Sequence, residues 1–130
     1  GLNLTPLHGH TALFGVYGFL GLAFVLFCLR AAWDGPLPDK AISWAFWTLN
    51  AGLAMMALMS LLPVGVLQTA ESITTGLWSA RSAEFMGSSL MTTLKWMRVP
   101  GDVVFGIGLV ILAAVVLGLL VRILGRKESA

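Results

Sequence analysis

Charge placement constrains this chain more than any other feature. No Asp, Glu, Lys or Arg occurs in residues 1–29, 41–70 or 103–121, and each window is built mainly from Leu, Val, Ala, Phe, Met and Gly. A helix needs about 20 apolar residues to cross the hydrocarbon core of a bilayer, and each window is long enough. Only 11% of the 130 residues are charged and 58% are hydrophobic, whereas a soluble domain carries roughly 25% charged residues. An ordinary soluble fold is therefore excluded. The expected fold class is an all-α integral membrane protein, a single partial membrane domain with three transmembrane helices at about 6–29, 40–67 and 103–124. Residues 68–102 form a polar, partly amphipathic extramembrane segment.

Local signals mark where each span begins and ends. Thr5 is placed to cap a helix whose first position is Pro6, where the missing N–H costs nothing. Residues 34–39, Asp-Gly-Pro-Leu-Pro-Asp, stop that helix and form a tight loop. The second span opens with Trp44, Phe46 and Trp47, aromatics suited to a membrane–water interface, and Pro63 with Gly65 predicts a kink near its far end. In the polar segment Met86, Leu90, Leu94 and Met97 fall at helical spacing, predicting one amphipathic helix over 86–97. Pro100-Gly101-Asp102 is expected to break it and cap the third span.

Net charge is +2, from 8 Lys and Arg against 6 Asp and Glu, with no basic run; no nucleic-acid surface is expected. The basic residues instead report topology. With three spans, Arg30, Lys40, Arg122, Arg126 and Lys127 share one side, against Arg81, Lys95 and Arg98 on the other. That bias predicts a cytoplasmic C-terminus and a first helix entering from the outer face, with His8 and His10 near that face. The single cysteine, Cys28, excludes an intrachain disulfide, and without C-x-x-C-H there is no covalent haem attachment.

Ionisable residues in a spanning helix are costly and usually face a protein interior or a cofactor, which singles out His8-Gly9-His10. At about 100° per residue the two rings point about 200° apart. They cannot chelate one metal together, but each can hold a separate iron, a geometry that suits two haems flanking one helix. Hydrogen bonding to neighbouring helices or headgroups explains the pair equally well on spacing alone. Gly15, Gly18 and Gly21 suggest close helix packing. Tyr17 reads as a packing residue. Asn50, near Thr48 and Ser60, suits a polar path or interhelical hydrogen bonds, and Glu71, Arg81 and Glu84 read as solvated surface. The spacing Gly101 to Gly108 lacks the Lys of a phosphate loop, and no nucleophile triad is visible.

The run Leu4-Thr5-Pro6-Leu7-His8-Gly9-His10-Thr11-Ala12-Leu13-Phe14-Gly15-Val16-Tyr17-Gly18 resembles the tenth transmembrane helix of the large, cytochrome b subunit of bacterial nitric oxide reductase, within the haem–copper oxidase superfamily. Leu67-Gln68-Thr69-Ala70-Glu71 and Gly76-Leu77-Trp78-Ser79-Ala80-Arg81 resemble the loop after that family's helix eleven, and the last span resembles helix twelve. The resemblance implies the last three of twelve helices, and Gly1 in place of Met fits a C-terminal part of a longer protein. It implies His8 as the proximal ligand of a high-spin haem b and His10 as an axial ligand of a low-spin haem b. The implied reaction converts two nitric oxide molecules, two electrons and two protons to nitrous oxide and water. The family's non-haem iron is held by three histidines and a glutamate on earlier helices, so no catalytic residue falls on this chain, which alone is expected to be inactive. The implied partners are the remaining helices of the subunit, a cytochrome c subunit or quinol as electron donor, nitric oxide and the lipid bilayer of the bacterial inner membrane. Two other readings stay open: a related oxygen-reducing oxidase, and a packing subunit or transporter fragment that binds no haem.

Overall fold

The computed structural model describes residues 2–128, and the elements found there are helical. Helix α1 spans Leu4–Ala32 and α2 spans Asp39–Thr74. A 3₁₀ turn at Ser79–Arg81 leads into α3, Ala83–Gly87, and α4, Ser89–Trp96. Helix α5 spans Arg98–Glu128. Three stretches, Leu4–Ala32, Asp39–Thr74 and Ser89–Arg126, are long and apolar enough to cross a membrane, as the charge-free windows predict.

Several boundaries differ from expectation, each for a local reason. Thr5 does not cap α1: the helix starts at Leu4, and Asn3 in the capping position makes no side-chain cap. The Asn3 amide is drawn instead to Gln68, 2.7 Å away on α2, so a tertiary bond sets the start. Helix α2 continues past residue 67 to Thr74, because Thr69 and Thr74 return their hydroxyls to the carbonyls of Gly65 and Ala70 and satisfy themselves within the helix. It ends where the Thr75 and Gly76 N–H groups both donate to the Glu71 carbonyl, with Gly76 at φ 115°, a conformation glycine adopts at no steric cost.

The disturbance expected at Pro63 takes the form of a π-helical turn at Ala57–Leu61, just upstream. Proline offers no N–H to the ladder, and a widened turn absorbs the mismatch. The predicted amphipathic helix over 86–97 is two helices, since Ser82 and Ser88 each accept a backbone N–H, from Phe85 and Met91, and start a helix of their own. Restarting at Ser89 turns the apolar face: Met91 is buried, whereas Leu90 is 58% exposed. Pro100-Gly101-Asp102 neither breaks nor caps; it lies in the first turns of α5, where a proline removes only an N–H without a helical partner. Asp102 pairs with Arg98 at 3.2 Å.

The main interface joins α2 to α5. A Cβ on Gly52 would collide with the backbone of Phe105, and one on Gly101 would lie 2.7 Å from the Met56 nitrogen, so the two backbones meet with no side chain between them. The expected glycine groove on α1 is reduced to Gly15, which faces Leu53; Gly18 faces only its own Phe14, and Gly21 has nothing near it. Helix α1 packs lower on the pair through Phe19, Leu22 and Leu26 against Ala45, Leu49 and Leu112. A second cluster, Leu29, Val115 and Leu119, holds the end where Arg126 reaches Asp34 at 3.5 Å. The loop after α1 and the end of α5 thus share one end of the bundle, as three crossings require.

Candidate functional site

Residues Gly9–Gly18 of α1 form a π-helical stretch that begins between the two histidines. His10 Nδ1 lies 2.8 Å from the Pro6 carbonyl, and the Thr11 hydroxyl donates to the Leu7 carbonyl at 2.8 Å. Two consecutive side chains therefore bond to carbonyls four residues back, which crowds the ordinary α ladder and accompanies the wider register.

Those bonds fix the chemistry of His10. Its Nε2 lies 3.1 Å from Nη2 of Arg98 on α5. A guanidinium has only donors, so Nε2 presents its lone pair, and the ring proton sits on Nδ1 and donates to Pro6. An imidazole held this way, with Nδ1–H on a backbone carbonyl and Nε2 accepting, is arranged as a metal ligand is arranged by its outer hydrogen bond. Arg98 is held in turn by Asp102.

His10, Arg98 and Asp102 line a cleft of about 590 Å³ between α1, α2 and α5, with Phe14, Leu53, Met56 and Phe105 among its apolar walls. Phe14 and Phe105 meet edge to face with centroids 5.0 Å apart. The acceptor nitrogen of His10 has one lone pair, which takes the Arg98 hydrogen bond, so His10 could ligate a metal only by exchanging Arg98 for it. His8 is placed differently: it is exposed, does not line the cleft, and its ring makes no hydrogen bond among the described residues. The two histidines are therefore not brought to one site. Among the described residues no three His, Cys, Asp or Glu side chains converge on a common point.

The remaining candidates resolve into structure. Tyr17 is 68% exposed rather than packed. Asn50 and Thr48 donate to carbonyls of their own helix, those of Phe46 and Trp44, and form no polar path. Glu71 is not simply solvated, because it accepts the Ser79 hydroxyl at 2.5 Å and braces the turn after α2; Arg81 and Glu84 are exposed as expected. Sequence reading missed Arg98 and Asp102 as part of the site, although their four-residue spacing on a helix was available as a signal. It also missed Gln68, a buried amide at the far end of α2.

Compared with protein families, residues 1–104 match the family described as Cytochrome C and Quinol oxidase polypeptide I. No curated protein matches the chain.

Proposed function

Because the chain belongs to the Cytochrome C and Quinol oxidase polypeptide I family, the haem–copper oxidase subunit I superfamily, we propose that it is the C-terminal part of the catalytic subunit of a nitric oxide reductase. In this reading His10 is an axial ligand of a low-spin haem b and His8 the proximal ligand of a high-spin haem b. The single observation that supports the haem assignment is the placement of His10 on the cleft wall with Nδ1–H held by Pro6; Nε2, which accepts from Arg98 in the haem-free chain, would exchange that bond for iron. The choice of nitric oxide over oxygen rests on the resemblance of residues 4–18 to the reductase helix.

When bound, the haems supply electron transfer at one iron and nitric oxide reduction at the other. The chain's own residues have narrower tasks. Pro6 holds the His10 ring, Phe14 and Phe105 wall the cleft, and Arg98 provides a fixed positive charge beside it. In this reading a non-haem iron and its ligands belong to other helices of the subunit, and the electron donor is a cytochrome c subunit or quinol. The proposed setting is the bacterial inner membrane with the C-terminus cytoplasmic.

The family description itself favours a second reading, an oxygen-reducing oxidase. Anaerobic turnover of the complete subunit with nitric oxide and a reductant separates the two. The proposal expects one nitrous oxide for every two nitric oxide molecules consumed. No nitrous oxide in that assay, with reductant-driven oxygen uptake in a parallel aerobic one, would select the oxidase.

A further inference from the structure

We infer that Gln68 is a positioning residue for the two histidines, seating the foot of α1 so that both imidazoles keep their depth and rotation. The inference rests on the haem reading above. Gln68 is 3% exposed, and its Oε1 accepts both the backbone N–H and the side-chain Nδ2 of Asn3, each at 2.7 Å. Its Nε2 donates to the Ala80 carbonyl at 2.9 Å and to the Met86 sulfur at 3.1 Å. Both acceptor positions and both N–H groups of the amide are therefore used. A flipped amide would set N–H against N–H at Asn3 and oxygen against oxygen at Ala80, so the partners determine its orientation.

A second contact makes this tether a seat. One turn earlier on α2, a Cβ on Gly65 would lie 2.8 Å from Leu4 Cδ2 and 3.1 Å from the Leu4 nitrogen. Gly65 and Gln68 thus hold consecutive residues at the start of α1. From Asn3 to His8 and His10 the helix rises roughly 7.5 to 10.5 Å, at 1.5 Å per residue. Over one or two turns a helix moves nearly as a rigid rod, so a tilt or rotation at its foot arrives at the rings undiminished. A functional constellation tolerates only about 0.5 Å of such error.

A purely structural Gln68 would serve instead to fasten the segment after α2, through Ala80 and Met86. The two arms of the amide separate these roles. In the complete subunit, Gln68→Leu removes both arms, Asn3→Ala removes half of the α1 arm and keeps the backbone bond, and Met86→Leu removes part of the other arm. Haem content and thermal unfolding are measured beside the low-spin ferric signal in electron paramagnetic resonance. The expected result is unchanged haem content, a shifted low-spin signal in Gln68→Leu, a smaller shift in the same direction in Asn3→Ala, and the wild-type signal in Met86→Leu. A wild-type signal in Gln68→Leu overturns the inference; if that variant does not assemble, a wild-type signal in Asn3→Ala does so. A shift in Met86→Leu as large as that in Asn3→Ala also overturns it. His10→Ala run in parallel keeps the premise separate: retention of the low-spin haem there contradicts the ligand assignment, whatever Gln68 does.

Discussion

At the scale of single residues, His10 was legible and its surroundings were not. A histidine in an apolar helix is conspicuous because its desolvation demands a partner, and the Pro6 carbonyl four residues back is the kind of partner helical periodicity offers. Arg98 is different, since it reaches His10 across 88 positions, a distance that no local pattern encodes. The same holds for Gln68 and Asn3, separated by 65 positions. The tautomer that follows from Pro6 and Arg98 is directly measurable. Nitrogen-15 NMR of the haem-free chain in detergent, labelled at histidine, should show His10 with a protonated Nδ1 and an unprotonated Nε2. His8, which has no such partners, should lack that bias. A His10 spectrum with the proton on Nε2 would contradict the hydrogen bonds assigned to Pro6 and Arg98.

At the scale of elements, the three charge-free windows located three helices, but the features that seat them against each other arise from packing. Leu53 and Gly65 lie twelve residues apart on α2, as do Met56 and Gln68. In an unbroken α-helix such pairs would be about 120° out of line, at 3.6 residues per turn. The π turn at Ala57–Leu61 lies between the members of each pair. The one extra residue it accommodates reduces the offset to about 20°. The cleft wall and the seat of α1 thereby share a face of α2. Glycine content alone did not identify the crossing either: Gly15, Gly18 and Gly21 are regularly spaced yet mostly unpartnered, whereas Gly52 and Gly101 meet backbone. The difference is tested by Gly52→Val, which forces α2 from α5 and is expected to destabilise by about 1–3 kcal/mol, the usual range for overpacking. Gly106→Ala, with open space around its Cβ, should be neutral or stabilising by about 0.5–1 kcal/mol. Thermal or denaturant unfolding in a fixed detergent reads both, and equal stability of the two variants would contradict the close crossing.

At the scale of the whole molecule, the chain is an open bundle. Helices α2 and α5 bury each other's faces, while α1 is left with only 6% of its most apolar window buried, against 44% for α2. An apolar helix so weakly covered by its own chain suits one wall of a larger assembly, with His8 turned outward and His10 turned into the cleft. Hydropathy and charge alone anticipated three helices long and apolar enough to cross a membrane and, with them, the shared end of loop and tail, where the structure adds the contact of Arg126 with Asp34. The division of the histidines between two faces was anticipated from helical periodicity; the identity of what they bind rests on the family and on the proposal built from it. That central claim is tested most directly by the optical and electron paramagnetic resonance spectra of His10→Ala in the complete, membrane-assembled subunit. The account predicts loss of the low-spin haem b signal with the high-spin haem retained. Both haem signals unchanged from wild type would contradict it.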